Sequence, residues 1–194
     1  MHEFIKIPED KVKSLRLKTI LRDSSNALTG GSASTISAMV LGLLNPEAIG
    51  LISSMGRIFP LFDGVAVMLP HRISEKLGWT FHILAFLWCF FGSNDPKVFA
   101  ITLTMLFALS ALTRLSYDEW LRDVLTRNST PKDAKKYRGI RNSVKAICGL
   151  AGVGFSVVLA LTLDWRSAYY VIGILELIHI IIKVQLNFEA KDLD

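Results

Sequence analysis

Apolar runs of about eighteen or more residues alternate with short polar breaks along the chain. A run of that length can cross a bilayer as a helix. Six such stretches are predicted: Asp23 to Leu44, Asn45 to Leu69, Leu77 to Ser93, Asn94 to Tyr117, Val144 to Leu163 and Ser167 to Leu186. The pattern predicts an all-α, polytopic membrane protein with six transmembrane helices. Residues 1–22 read as a short amphipathic helix on the cytoplasmic face or as a solvated tail, and residues 187–194 as a polar tail. Two breaks carry helix-start chemistry, Asn45-Pro46-Glu47 and Asn94-Asp95-Pro96, each with a capping side chain followed by proline. The short turn Asp164-Trp165-Arg166 separates the last two spans, and Gly30-Gly31 loosens the first.

Charge sets the orientation. The longest polar break, residues 118–141, carries Arg122, Arg127, Lys132, Lys135, Lys136, Arg138 and Arg141. Each Lys or Arg at a bilayer centre costs about 2.5–3.5 kcal/mol on insertion scales, so this stretch belongs in water, as a cytoplasmic loop. The segment before the first span holds six more basic residues, and the break after the second holds Arg72 and Lys76. The alternate breaks hold none, Lys97 and Arg166. This is the positive-inside pattern for six spans with both termini in the cytoplasm, and the expected location is the plasma membrane.

The chain has 194 residues, 51% of them apolar, with a formal net charge of +5. Because the basic residues cluster in breaks between apolar runs, the composition favours a membrane protein over a nucleic-acid binder. Cys89 and Cys148 lie in different apolar runs and give no disulfide framework.

Charges inside spans are the first functional leads, because the bilayer makes them expensive. Arg57 and Asp63 lie in the second span, with the kinking Pro60 between them, and Arg114 lies near the end of the fourth. Asp63 and Arg114 share a depth that suits an ion pair. Arg57 suits an anionic substrate group or an acid on another helix. In the sixth span Glu176, His179 and Lys183 are three and four residues apart and share a helix face. That face reads either as a proton or substrate stripe or as a polar packing seam with Lys183 reaching to the interface. His82 and Cys89 are two turns apart, and their spacing is similar to that of membrane peptidases that process quorum-sensing peptides. A straight helix separates them by about 10 Å, too far for direct proton transfer. The small, polar first half of span one reads as a cavity lining or as tight packing, and Gly149, Gly152 and Gly154 read as a small-residue packing face. No phosphate loop, paired zinc motif or nucleophile elbow occurs, so no cofactor or metal is expected.

Five segments carry a resemblance. Asn45 to Ser54 looks like the start of a second helix, and His71-Arg-Ile-Ser-Glu-Lys-Leu-Gly78 like the loop between helices two and three. Lys136-Tyr-Arg-Gly139, Gly149 to Gly154 and Asp164 to Tyr170 look like helices five and six and their turn. In order and spacing these resemble the first half of major facilitator superfamily transporters, with Arg72 and Gly78 at the signature-loop positions. The resemblance implies a three-plus-three helix bundle that moves a small-molecule substrate by alternating access. It implies a second six-helix bundle as partner, from another copy or another chain. Cavity-lining helices one and four draw attention to Asn26, Thr29, Ser32, Thr104 and Ser110. A membrane Cys peptidase using Cys89 and His82, and a non-transporting membrane subunit, stand as alternatives.

Overall fold

The computed structural model describes residues 7–44 and 68–191. Arg57, Asp63, Pro60, the start at Asn45-Pro46-Glu47 and nearly all of the second expected span lie outside the described residues. The described residues are all-helical: α1 (Glu9–Leu44), α2 (His71–Phe91), α3 (Pro96–Thr113), α4 (Leu115–Arg127), α5 (Pro131–Thr162) and α6 (Trp165–Ala190).

Local chemistry explains most boundaries. Asp95 accepts the N–H groups of Lys97 (2.8 Å) and Val98 (3.2 Å), and Pro96 follows at the first helical position. Thr130 caps α5 through the Asp133 N–H at 3.2 Å, again ahead of a proline. Asp164 caps α6 through Arg166 N–H (2.9 Å) and Ser167 N–H (3.0 Å). The Ser167 hydroxyl also donates to it at 2.6 Å, which holds the Asp164 carboxyl below the usual aspartate range.

Four expectations change. Residues 9–22 and the first span form one continuous helix, because no proline or cap interrupts them, and Gly30-Gly31 does not break it. His71, Arg72 and Lys76 belong to the first turns of α2, not to a loop, since Pro70 starts the helix there. The stretch 118–141 is largely helical, and only Asn128–Thr130 separates α4 from α5. Helix α4 forms because Tyr117, Leu121 and Leu125 recur at four-residue spacing and are buried, while Arg122 and Arg127 face out. The first turns of α5 likewise bury Ala134 and Tyr137 and expose Lys132, Lys135, Lys136 and Arg138. Finally, α6 continues through Ala190, so the first half of the polar tail, residues 187–190, is helical.

Helices α3, α5 and α6 are long and apolar enough to cross a membrane. The expected first and third spans are helical within α1 and α2, which are long enough but not as apolar. Outward faces are apolar in the way lipid favours: Ile147, Leu150, Val158 and Leu161 on α5, and Ile174, Ile178 and Ile181 on α6, are exposed. A soluble domain this size seldom leaves such rows in water.

Helix α1 lies along α5, α6 and α3, while α2 packs on α3, α6 and α4. Among the described residues the interior has two apolar clusters. One gathers Ile36, Leu41, Ala85, Cys89, Phe99, Leu103, Tyr169 and Ile172. The other, at the end that carries the basic residues, gathers Val12, Leu15, Tyr117, Leu121, Leu125 and Leu186. The Lys18–Glu189 ion pair (2.5 Å) and the Ile7 N–H to Asn128 Oδ1 bond (3.0 Å) tie α1, α6 and the α4–α5 turn together at that end.

Candidate functional site

Between the two apolar clusters lies a polar layer. Its position is written in each helix. On α6 the apolar contacts Ala168 and Ile172 give way to Glu176, His179 and Lys183, then return at Leu186. On α2, Ala85 and Cys89 give way to Gly78 and His82. On α1, Leu15 and Ile36 flank Arg22, Asp23, Ser24, Thr29 and Ser32. Burial of so many polar groups is costly unless each finds a partner.

The α1 side is held by ion pairs, although among the described residues Ser24 Oγ there is buried without a hydrogen-bond partner and Arg22 Nη1 and Asp118 Oδ1 meet only as an ion pair. Arg22, only 1% exposed, donates to Asp23 Oδ1 from Nε (3.0 Å) and Nη2 (2.7 Å). Its Nη1 lies 2.7 Å from Asp118 Oδ1. Arg114 Nε lies 3.2 Å from Asp118 Oδ2, and Arg141 Nε donates to Asp23 Oδ2. This network joins α1, α5 and the α3–α4 junction. Nearby, Gly31 and Gly152 let α1 and α5 approach closely: a Cβ on Gly152 would fall 2.5 Å from Leu28 O, and one on Gly31 3.0 Å from Gly149 O. Ser32 Oγ donates to Gly152 O and Ser156 Oγ to Ser32 O, both at 3.1 Å.

The α2–α6 side is different. His82 Nδ1 and Glu176 Oε1 share a hydrogen bond of 2.5 Å, and both residues are fully buried. The His82 and His179 rings meet at 4.6 Å between centroids, and His179 Nδ1 shares a 2.8 Å bond with Ser25 Oγ on α1. Lys183 is 2% exposed, with Nζ 5.6 Å from the Trp79 ring centroid. Gly78 makes room for it, since a Cβ there would lie 3.3 Å from Lys183 Nζ and 3.2 Å from Arg114 Cβ. Among the described residues, His82 Nε2, His179 Nε2, Glu176 Oε2, Lys183 Nζ and Arg114 Nη1 are buried without a hydrogen-bond partner. A cluster of five such atoms calls for an explanation such as a bound water or ion, although Arg16 Nε, Ser24 Oγ and Tyr137 Oη outside this seam are unpaired too.

The structure brings some expected residues together and separates others. Glu176, His179 and Lys183 do share one face, but Lys183 turns inward and does not reach the interface. Gly78 belongs to the same site, whereas Arg72 is exposed on the first turn of α2. Arg114 pairs with Asp118, and its expected partner Asp63 lies outside the described residues, as does Arg57. Ser32 sits in the tight α1–α5 seam, not on a cavity. Thr29 is buried and donates to Ser25 O (3.0 Å), and Asn26 is half-buried on α1. Thr104 and Ser110 donate within α3, to Ala100 O and Phe107 O. Cys89 is a free thiol in the apolar cluster, and the near partner of His82 is Glu176 on another helix.

The Arg22–Asp23–Asp118–Arg141 network was not foreseen. Its one local signal is Arg114–Asp118 at four-residue spacing. No group of three or more His, Cys, Asp or Glu among the described residues is placed to hold a metal. Comparison of the chain with protein-family models, with curated proteins and with solved structures gave no match.

Proposed function

We propose that this chain is an integral membrane bundle that takes part in secondary transport of a small solute, with the polar layer as its working site. The observation that carries this reading is the ionisable α2–α6 seam, closed off between two apolar clusters in a bundle whose outer faces are apolar. Lipid-facing helices keep buried charge where an ion, proton or substrate must pass. In this reading Glu176 and His179 handle a coupling proton. His82 holds one oxygen of Glu176 and leaves the other for exchange. Gly78 gives Lys183 its place beside Arg114. The basic end of the bundle lies in the cytoplasm, and the plasma membrane is the proposed location. A six-helix bundle resembling half of a major facilitator fold needs a second bundle, here a second copy, to enclose a two-sided path.

The test is uptake by proteoliposomes, under an imposed proton gradient, of a panel of labelled carboxylates, phosphates, sugars, amino acids and cations. At least one solute should accumulate, and Glu176→Gln should abolish that uptake while the protein stays monodisperse. Wild-type protein that accumulates none of the panel would sink the proposal.

A further inference from the structure

A pocket of about 580 Å³ opens at the basic end of the bundle, between the first turns of α2, helix α4 and the last turns of α6. Its wall includes Trp79, Trp120 and Asn187, the cations Arg72, Lys76 and Lys191, and one acid, Glu75. The aromatic part is built, not incidental. His71 stacks on Trp120 with centroids 4.7 Å apart and planes 7° apart. Asn187 accepts from the Tyr117 hydroxyl at 3.0 Å, which fixes its amide, and its Nδ2 is then a buried donor without a partner.

The pocket and the polar layer share one wall. Trp79 lines the pocket, and Lys183 Nζ lies 5.6 Å from the centroid of its ring. Lys183, Asn187 and Lys191 are each four residues apart, so they continue the Glu176–His179 stripe along one face of α6 into the pocket. Every member of that continuation is a donor. The buried layer itself is unbalanced among the described residues: Arg22, Arg114, Arg141 and Lys183 face Asp23, Asp118 and Glu176. Two of the donors without partners, Lys183 Nζ and Arg114 Nη1, belong to its cations. Arg114 still pairs with Asp118 through Nε, whereas Lys183 makes no ion pair among the described residues, and a buried cation of that kind is a costly feature that a bound anion would relieve.

We infer that the pocket between α2, α4 and α6 binds a small anion carrying a phosphate or carboxylate group, with Asn187 and Lys191 at its mouth and Lys183 behind Trp79. The aromatic wall takes the less polar part of the ligand, and the α6 donors take the charged oxygens. The inference deepens the transport reading by naming the chemical class of the solute, and it rests on that reading for the anion's passage beyond Trp79. The same chemistry is offered by a soluble anion or by the headgroup of an anionic lipid at the membrane surface.

The test is a tryptophan-fluorescence titration of the full chain in phosphatidylcholine nanodiscs, with glycerol 3-phosphate and succinate as probes and phosphatidylglycerol nanodiscs as a separate arm. Saturable quenching by a probe is expected, weakened about tenfold or more by Lys183→Met. Exposed Lys76 and Lys191, changed together to Gln, should weaken it several-fold. This second variant keeps the test decisive if the first does not fold. If only phosphatidylglycerol changes the signal, and the variants abolish the change, the anion is a lipid headgroup. No anion-dependent signal, or one that both variants leave intact, overturns the inference. Binding without uptake would sink the transport reading alone, and uptake of a neutral or cationic solute without anion binding would sink this one alone.

Discussion

Two seams run through the bundle, and they are built on opposite principles. Along α1–α5, Gly31 and Gly152 bring backbones together, the Ser32 and Ser156 hydroxyls bond backbone oxygens, and Asp23 is held between Arg22 and Arg141. Along α2–α6, Gly78 makes room for the buried Lys183, and His82, Glu176 and His179 each keep one atom without a partner. Close approach of helices through small residues is how association is gained where lipid offers no hydrophobic drive. Unmatched buried charge gains nothing of that kind. The first seam holds the bundle together; the second carries the unpaired Lys183, which the proposed reading assigns to what passes or binds there.

The comparison breaks most visibly at Arg22. Arg22→Ala leaves Asp23 and Asp118 without their shared partner, and loss of one member of a buried ion pair costs about 3–5 kcal/mol. Thermal unfolding in detergent should show the loss, or no monodisperse protein should be recovered. Gly152→Leu should come next, at about 1–3 kcal/mol or more, because its side chain meets the α1 backbone. Gly154→Leu, two residues on, has nothing within 4 Å and should melt like wild type. Equal melting of the two variants would remove the close-approach account.

On the other seam the sign should separate stability from activity. Glu176→Gln keeps the shape and a neutral bond to His82, so melting should shift little while uptake is abolished. The smallest effect lies outside both seams. Asp164→Ala removes the α6 cap and should lower melting by a few degrees near neutral pH. The Asp164 carboxyl titrates lower in the folded chain than when unfolded. Its contribution is therefore present above the ordinary aspartate value and lost as pH falls through the lower folded value. Wild type and variant should converge in melting temperature on that acid side, and a gap that widens there would contradict the assignment.

Some of this was legible in the chain and some was not. Asp95-Pro96 announced the start of α3, because that signal is local; of the glycines expected to form a packing face, Gly152 meets α1 while a Cβ on Gly149 or Gly154 would have open space. The Glu176–His179–Lys183 stripe could be placed on one face by spacing alone. Its partner could not, because His82 meets Glu176 only after α2 and α6 pack. Arg22 looked like one more surface charge, since burial depends on α4 folding back over α1. The polar stretch 118–141 hid α4: high charge density masked the four-residue spacing of Tyr117, Leu121 and Leu125. Polarity reports contact with water more reliably than it reports absence of a helix.

The central claim is that Lys183 is kept at the α2–α6 seam for a ligand and not for the fold. It is tested most directly by the melting temperature of Lys183→Met in phosphatidylcholine nanodiscs without added anion. Replacing a buried charge by an apolar side chain of similar length is often neutral or stabilising. The account predicts a melting temperature equal to or above that of wild type. A fall of several degrees would make Lys183 a structural residue and contradict the claim.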